Sequence, residues 1–382
     1  MSNMNRTMQE ALRLMQTGDL HAATQAIQRG LRGGAEPAYA AAEFGVESAS
    51  ARCIEGQYRI ITDSPSEAVR TPRTTERTDN LRSKTRDDEF RHHHFACRAG
   101  DMHYKLFVPA GLATAAPPLI VMLHGCTQSP DDFARGTRMN ALAQEHGYVV
   151  AYPAQAPSKN ASKCWNWFRS HDQQRGQGEP AIIAALTRHL VNTHNLDERR
   201  VYIAGLSAGG AMAAVLANTY PDVYAAICVH SGLPVGVAHD LPSAFAAMKQ
   251  VAGVPSAGAS PARIDPVPAI VFHGDKDTTV DPCNGAAVIA QCIGLNESVN
   301  HAESDTARPT VEHGSVPGGR TYTRTIFSNA DGSVAAEQWL VHGAGHAWFG
   351  GDPAGSYTDP SGPDASQHML RFFSAYTRPA IN

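Results

Sequence analysis

The chain has 382 residues, 42% of them hydrophobic, and its 32 basic and 36 acidic side chains leave a formal net charge of −4. That length holds one large α/β domain and a further piece, while the charge balance offers no basic surface for nucleic acid or an acidic membrane. No apolar run approaches the roughly 20 residues that span a bilayer, which excludes a membrane-spanning helix.

Met1 to Gln16 is polar, without the hydrophobic centre of a secretory signal, so a cytoplasmic location is expected. Thr7-Met-Gln-Glu10 is a capping box, in which the Thr7 hydroxyl and the Glu10 carboxylate each satisfy an orphan amide. Met8, Ala11, Leu12 and Met15 follow at helical spacing. Gly18 interrupts, and Asp19 caps a second helix with Leu20, Ala23, Ile27 and Leu31 on one face. Residues 1–33 thus read as a helical hairpin too small to own a core. It is expected to pack on the main domain, with self-association or recruitment of a partner as the alternative. Residues 34–88 read as a flexible linker, because Thr71 to Asp87 is charged, Thr-rich and almost without hydrophobes.

Order is expected to resume at 89 and run to 382. His92 to Ala96 and Met102 to Val108 flank Arg98-Ala-Gly-Asp101 as a β-hairpin. Only His92 and His94 of the triple histidine share a strand face, and two histidines without a third ligand favour a solvated edge over a metal site. Leu119 to Leu123 is a continuous apolar strand of the kind buried on both faces. A helix with Met139, Leu142 and Ala143 on one face leads to the strand Gly147 to Pro153. Cys164-Trp-Asn-Trp-Phe168 lies in a loop, and Glu179 to Asn192 is a helix. The strand at Val201 to Ile203 has its own helix after it, and Tyr224 to His230 is the next strand. Leu233 to Pro266 is Pro- and Gly-rich, an excursion over the sheet edge. Pro268 to Phe272 and Ala336 to Val341 supply two more strands, and Asp364 caps a last helix. Strands alternating with helices predict a mostly parallel central sheet flanked by helices, with ligands beyond the carboxyl ends of the strands.

The chemistry centres on Gly205-Leu-Ser207-Ala-Gly209, a G-x-S-x-G turn between a buried strand and an Ala-rich helix. A strained turn there projects the Ser207 hydroxyl from the sheet at a helix N-terminus. A serine is a weak nucleophile and needs a base, itself oriented by an acid. In the α/β-hydrolase fold the chain order is Ser, acid, His. After Ser207 comes His273-Gly-Asp275-Lys-Asp277-Thr-Thr-Val280. Asp277 is the expected acid, because H-G-x-x-D-x-x-V is the usual form of this loop in such hydrolases. Asp275 is the alternative, and its simpler role is capping the turn. His346, after Gly343-Ala-Gly345, is the expected base, and His342 beside the strand end is expected to be structural. The amides of Ala208 and Cys126 are the expected oxyanion donors.

Five motifs in this order, residues 124–130, 164–168, 205–210, 273–280 and 343–348, together resemble the esterase family of polyhydroxybutyrate (PHB) depolymerases, to which feruloyl and acetylxylan esterases are related. The resemblance covers about Glu89 to Tyr376. It implies a triad of Ser207, Asp277 and His346, no cofactor or metal, and a polyester or a feruloyl or acetyl ester as substrate. Many such enzymes are secreted, which sets an extracellular location beside the cytoplasmic one. The resemblance also suggests that Cys126 and Cys164 lie close enough for a disulfide, against two buried thiols. Trp165, Trp167, Trp348 and Tyr357 fall beside these motifs and are expected to line the substrate cleft, with core packing as the plainer alternative, while Trp339 is assigned to the core. The expected function is serine esterase on a poly- or oligo-(3-hydroxyalkanoate), with a feruloyl or acetylxylan carboxylesterase second. An acyltransferase and a polymer-granule-binding protein are the rivals from other classes.

Overall fold

Leu119–Leu123 forms β3, with every side chain buried. Its residues divide between two cores, Leu119, Val121 and Leu123 on one face and Ile120 and Met122 on the other, as period-two alternation demands of a strand covered on both sides. The computed structural model describes residues 90–112, 114–249, 267–294 and 308–379. The expected N-terminal helical hairpin, the linker and part of the Pro- and Gly-rich excursion lie outside the described residues.

The described residues form a ten-stranded sheet in the order β1-β2-β4-β3-β5-β6-β7-β10-β9-β8. β4 (Val149–Ala154), β3, β5 (Val201–Leu206), β6 (Ala226–His230), β7 (Ala269–Gly274) and β10 (Val334–Val341) run parallel. The predicted hairpin is β1 (Phe90–Cys97) with β2 (Gly100–Phe107), antiparallel at one edge. In β1, His92 and His94 are exposed, and His93 stacks on Tyr104 with ring centroids 5.0 Å apart. The far edge holds two strands that the sequence reading did not contain, β9 (Thr321–Ser328), antiparallel to β10, and β8 (Thr310–Ser315), antiparallel to β9. Their sequences are Thr-rich and half-exposed, with too little hydrophobic alternation to read as strands.

Helices α1 (Pro130–Thr137), α2 (Met139–His146), α3 (Gly178–Thr193) and α4 (Ala208–Thr219) are followed by α5 (Leu241–Lys249), α6 (Cys283–Cys292) and α7 (Ala365–Ser374). Apolar side chains of α3, α4 and α6 join one core and those of α1, α2 and α7 the other. α7 begins as expected, with the Asp364 carboxylate accepting from the Gln367 amide at 3.0 Å. α5 lies within the excursion, and Cys283 and Cys292 sit at the two ends of α6. Among the described residues no helix is long and apolar enough to cross a membrane.

Candidate active site

The parallel strands deliver their carboxyl ends to one edge, where the loops carrying the predicted chemistry meet. Ser207 follows β5 with φ 57° and ψ −118°, a strained conformation for a residue with a side chain. The glycines around it are needed sterically. A Cβ on Gly205 would come within 2.2 Å of the Gly209 backbone, and one on Gly209 within 2.1 Å of the Leu123 carbonyl oxygen. Helix α4 therefore starts hard against the end of β3. The Ser207 amide donates to the His230 carbonyl at 2.8 Å, which ties the turn to β6.

Two strands away, β7 ends in the acid loop, and next to it β10 ends in the histidine loop. The Asp275 amide donates to Val341 and the Lys276 amide to Ala344, at 3.0 and 2.9 Å. His346 Nδ1 stands 2.7 Å from Oδ2 of the fully buried Asp277 carboxylate. The other carboxylate oxygen accepts from the Thr279 and Val280 amides at 2.8 and 2.9 Å. Burial by itself would raise the Asp277 pKa, but hydrogen bonds from His273 and His346 outweigh it and hold the carboxyl well below its usual range. Asp275 has a different partner: it faces His342 Nδ1 at 3.1 Å and accepts from the Gly343 amide at 2.7 Å. Thr323 bonds the other His342 nitrogen at 2.9 Å. The two acids and two histidines thus form two separate pairs. Among the described residues no hydrogen bond links Ser207 to His346. Of the expected relay the structure shows the His346–Asp277 contact, and a bond between a serine and a catalytic base commonly tightens only with substrate bound.

The loop after β3, which carries the expected oxyanion donor Cys126, is held from several sides. His124 Nδ1 lies 2.7 Å from the Gly125 carbonyl oxygen, and its Nε2 accepts from the Gln155 amide at 3.2 Å. A carbonyl only accepts, so Nδ1 carries the proton and the ring is neutral. Burial pushes its pKa down to about 4. Gln128 accepts from the Gly125 amide at 2.8 Å and donates to Asp132 at 2.9 Å and to the Ser356 carbonyl at 3.0 Å. A disulfide joins Cys126 to Cys164. Among the described residues the Cys126 and Ala208 amides, the expected oxyanion donors, donate to no backbone carbonyl outside the helices and strands.

The expected aromatic cleft needs correction. Trp165 and Trp348 are 0% and 1% exposed, and Trp167 is 6% exposed, so they belong to the cores and not to an open rim. Each fully buried indole has found a protein acceptor, as a buried Trp requires. Trp165 donates to the His124 carbonyl and Trp348 to the Ser366 hydroxyl, both at 3.0 Å. Tyr357 is 46% exposed, and its hydroxyl lies 3.2 Å from that of Thr127, next to Cys126. Trp339 is buried as expected.

Several site-shaping residues carry no motif. Buried Glu179 accepts from the Asn166 amide at 2.8 Å and from the side chains of Gln155 and Asn166, both at 2.5 Å, fixing the Cys164–Phe168 loop. His230 at the end of β6 accepts from the Phe349 amide at 3.1 Å, and burial, with His273 and His346 adding to it, pushes its pKa well down. An ionisable residue closing an apolar run, such as His230, was the available signal. The burial of Glu179, in the first turn of α3, left none.

A family model described as "Esterase PHB depolymerase" matches residues 102–315, more than half of the chain. Poly(3-hydroxyalkanoate) depolymerase C of Paucimonas lemoignei is 34% identical over 66% of this chain and 60% of its own. Feruloyl esterase B of Thermothelomyces thermophilus is 36% identical over 36% of this chain and 47% of its own. A probable acetylxylan esterase A of Aspergillus fumigatus is 29% identical over 52% and 56%. The chain thus spans between 47% and 60% of the length of these curated relatives. Among solved structures, an acetyl xylan esterase from Aspergillus awamori superposes with a TM-score of 0.54 at 21% identity, over 72% of this chain and 94% of that one, a likeness of fold.

Proposed function

The chain belongs to the PHB depolymerase family of esterases, and from that premise we propose that it is a serine carboxylesterase working through Ser207, His346 and Asp277. The observation that carries the reading is the 2.7 Å contact between His346 Nδ1 and Asp277. With Nδ1 donating to the carboxylate, Nε2 is the lone-pair nitrogen, and that is the atom a general base needs. Ser207 Oγ attacks the ester carbonyl and its proton passes to Nε2. The Cys126 amide, in the loop after β3, and the Ala208 amide, at the N-terminus of α4, stabilise the oxyanion. The imidazolium returns the proton to the leaving alcohol. A water, deprotonated in the same way, then releases the acyl group and frees Ser207.

A poly- or oligo-(3-hydroxyalkanoate) is the proposed substrate, supported by the depolymerase relative that aligns over 66% of the chain. The feruloyl and acetylxylan esterase relatives support a second reading, a carboxylesterase of plant-polymer esters. The test is a hydrolysis panel of PHB film, hydroxybutyrate oligomers, methyl ferulate and acetylated xylan with product mass analysis. Release of hydroxybutyrate oligomers or monomer with no ferulate or acetate favours the first reading, and the reverse favours the second. Ser207→Ala is expected to lower kcat on a p-nitrophenyl ester by on the order of 10⁴ or more, with an unchanged unfolding midpoint. A pure mutant with near-normal turnover would remove the mechanism.

A further inference from the structure

His273, near the end of β7, is fully buried. Its Nε2 lies 2.9 Å from the Val280 carbonyl oxygen and 3.4 Å from Oδ2 of Asp277. Because the carbonyl can only accept, Nε2 carries the proton and shares it with the carboxylate. Nδ1 is then the lone-pair nitrogen, and it is buried with no hydrogen-bond partner. The backbone of Gly285, in the first turn of α6, walls it in: a Cβ there would come within 2.9 Å of Nδ1. An acceptor buried without a donor is unfavourable, and packing alone would be served as well by an apolar ring. What the imidazole adds is an N–H on the Val280 carbonyl with the Asp277 carboxylate beside it.

Resting on the triad reading above, we propose that His273 is a positioning residue for the reaction, whose Nε2–H holds the Asp277 carboxylate so that Oδ2 stays on Nδ1 of His346. Two amides secure Oδ1, and Oδ2 serves both imidazoles, His346 at 2.7 Å and His273 at 3.4 Å. His273 shares Oδ2 with His346 and so draws carboxylate charge away from it. The other titratable groups bearing on the pair are His230 at the end of β6 and Asp281 after the acid loop.

The test is the pH dependence of p-nitrophenyl butyrate hydrolysis by the whole chain. His273→Phe is expected to lower kcat about tenfold with KM within about twofold, and to move the acid limb of kcat/KM to higher pH. The limb moves up because a carboxylate with one donor fewer pairs more strongly with the His346 imidazolium. His273→Gln, whose Nε2 is the same number of bonds from the backbone, is expected to restore both. Gly285→Ala, which displaces the ring, is expected to shift the limb in the same direction. A wild-type acid limb in His273→Phe, or a shift that Gln does not reverse, overturns the proposal. If the Phe variant does not fold, a wild-type limb in Gly285→Ala overturns it. Failure of the triad reading looks different: it would show as an inactive wild type or an active Ser207→Ala.

Discussion

A serine held at φ 57° and ψ −118° stores about 1–3 kcal/mol of backbone strain, and the surrounding structure must supply it. The near-zero clearances at Gly205 and Gly209 show where: the turn is wedged between the starts of α4 and the end of β3. At the same scale, the two acids of one loop have different work. Asp277→Asn is expected to lower kcat by about 10⁴, because an amide in place of Oδ2 no longer selects the His346 tautomer with Nε2 free. Asp275→Asn is expected to stay within about tenfold, since its partners are His342 and the Gly343 amide. Measuring kcat/KM for both variants checks the assignment, and equal losses would reject it. The form this loop usually takes in such hydrolases favoured Asp277 but left Asp275 open. Only the pairing of each acid with its own histidine separates them, and that pairing depends on β7 and β10 being neighbours.

At the scale of elements, the loop after β3 is a clamped segment. The Trp165 indole, the His124 ring and the Cys126–Cys164 disulfide join it to the Cys164–Phe168 loop and to the end of β4, and Glu179 at the start of α3 fixes that second loop in turn. Removing the carboxylate with Glu179→Ala strands several buried donors, at a cost of about 2–4 kcal/mol. The expected result is a lower denaturant midpoint together with a lower kcat, since the two loops share the clamp; unchanged stability would contradict it. The double variant Cys126→Ser/Cys164→Ser is expected to lose about 2–4 kcal/mol by the same measurement. The sequence marked these loops by their tryptophans and assigned the rings to a cleft. The structure packs the rings into the cores, and the Trp165 indole N–H is satisfied there by the His124 carbonyl.

For the whole molecule, the buried neutral imidazoles at the carboxyl edge couple stability to pH. His124 is pushed down to about 4 and His230 well below its usual value, so the unfolded chain, with histidines near 6.5, binds more protons than the folded one. Stability therefore rises with pH from about 4 to about 6.5 and is lost as pH falls through that window. His124 alone contributes on the order of 3 kcal/mol. Asp277 acts in the same direction lower down, because its folded pKa lies below its unfolded value and its contribution is lost as pH falls below the latter. Denaturant midpoints between pH 7.5 and 4 check this. The dependence is expected to be shallower in His124→Gln, which cannot protonate, and an equal slope in both proteins would refute it.

What the sequence determined by itself was whatever is written locally. Apolar runs such as Leu119–Leu123 fixed the buried strands, Asp364 fixed the start of the last helix, and the glycines around Ser207 fixed the strained turn, because periodicity, capping and steric exclusion act over a few residues. What the tertiary structure decided was everything that depends on which segments become neighbours: the Asp277–His346 contact, the separate Asp275–His342 pair, the burial of Trp165 and Glu179, and the weakly patterned edge of β8 and β9. Burial and hydrogen-bond partnership are properties of pairs of distant segments, and no local pattern encodes them until the sheet order is set.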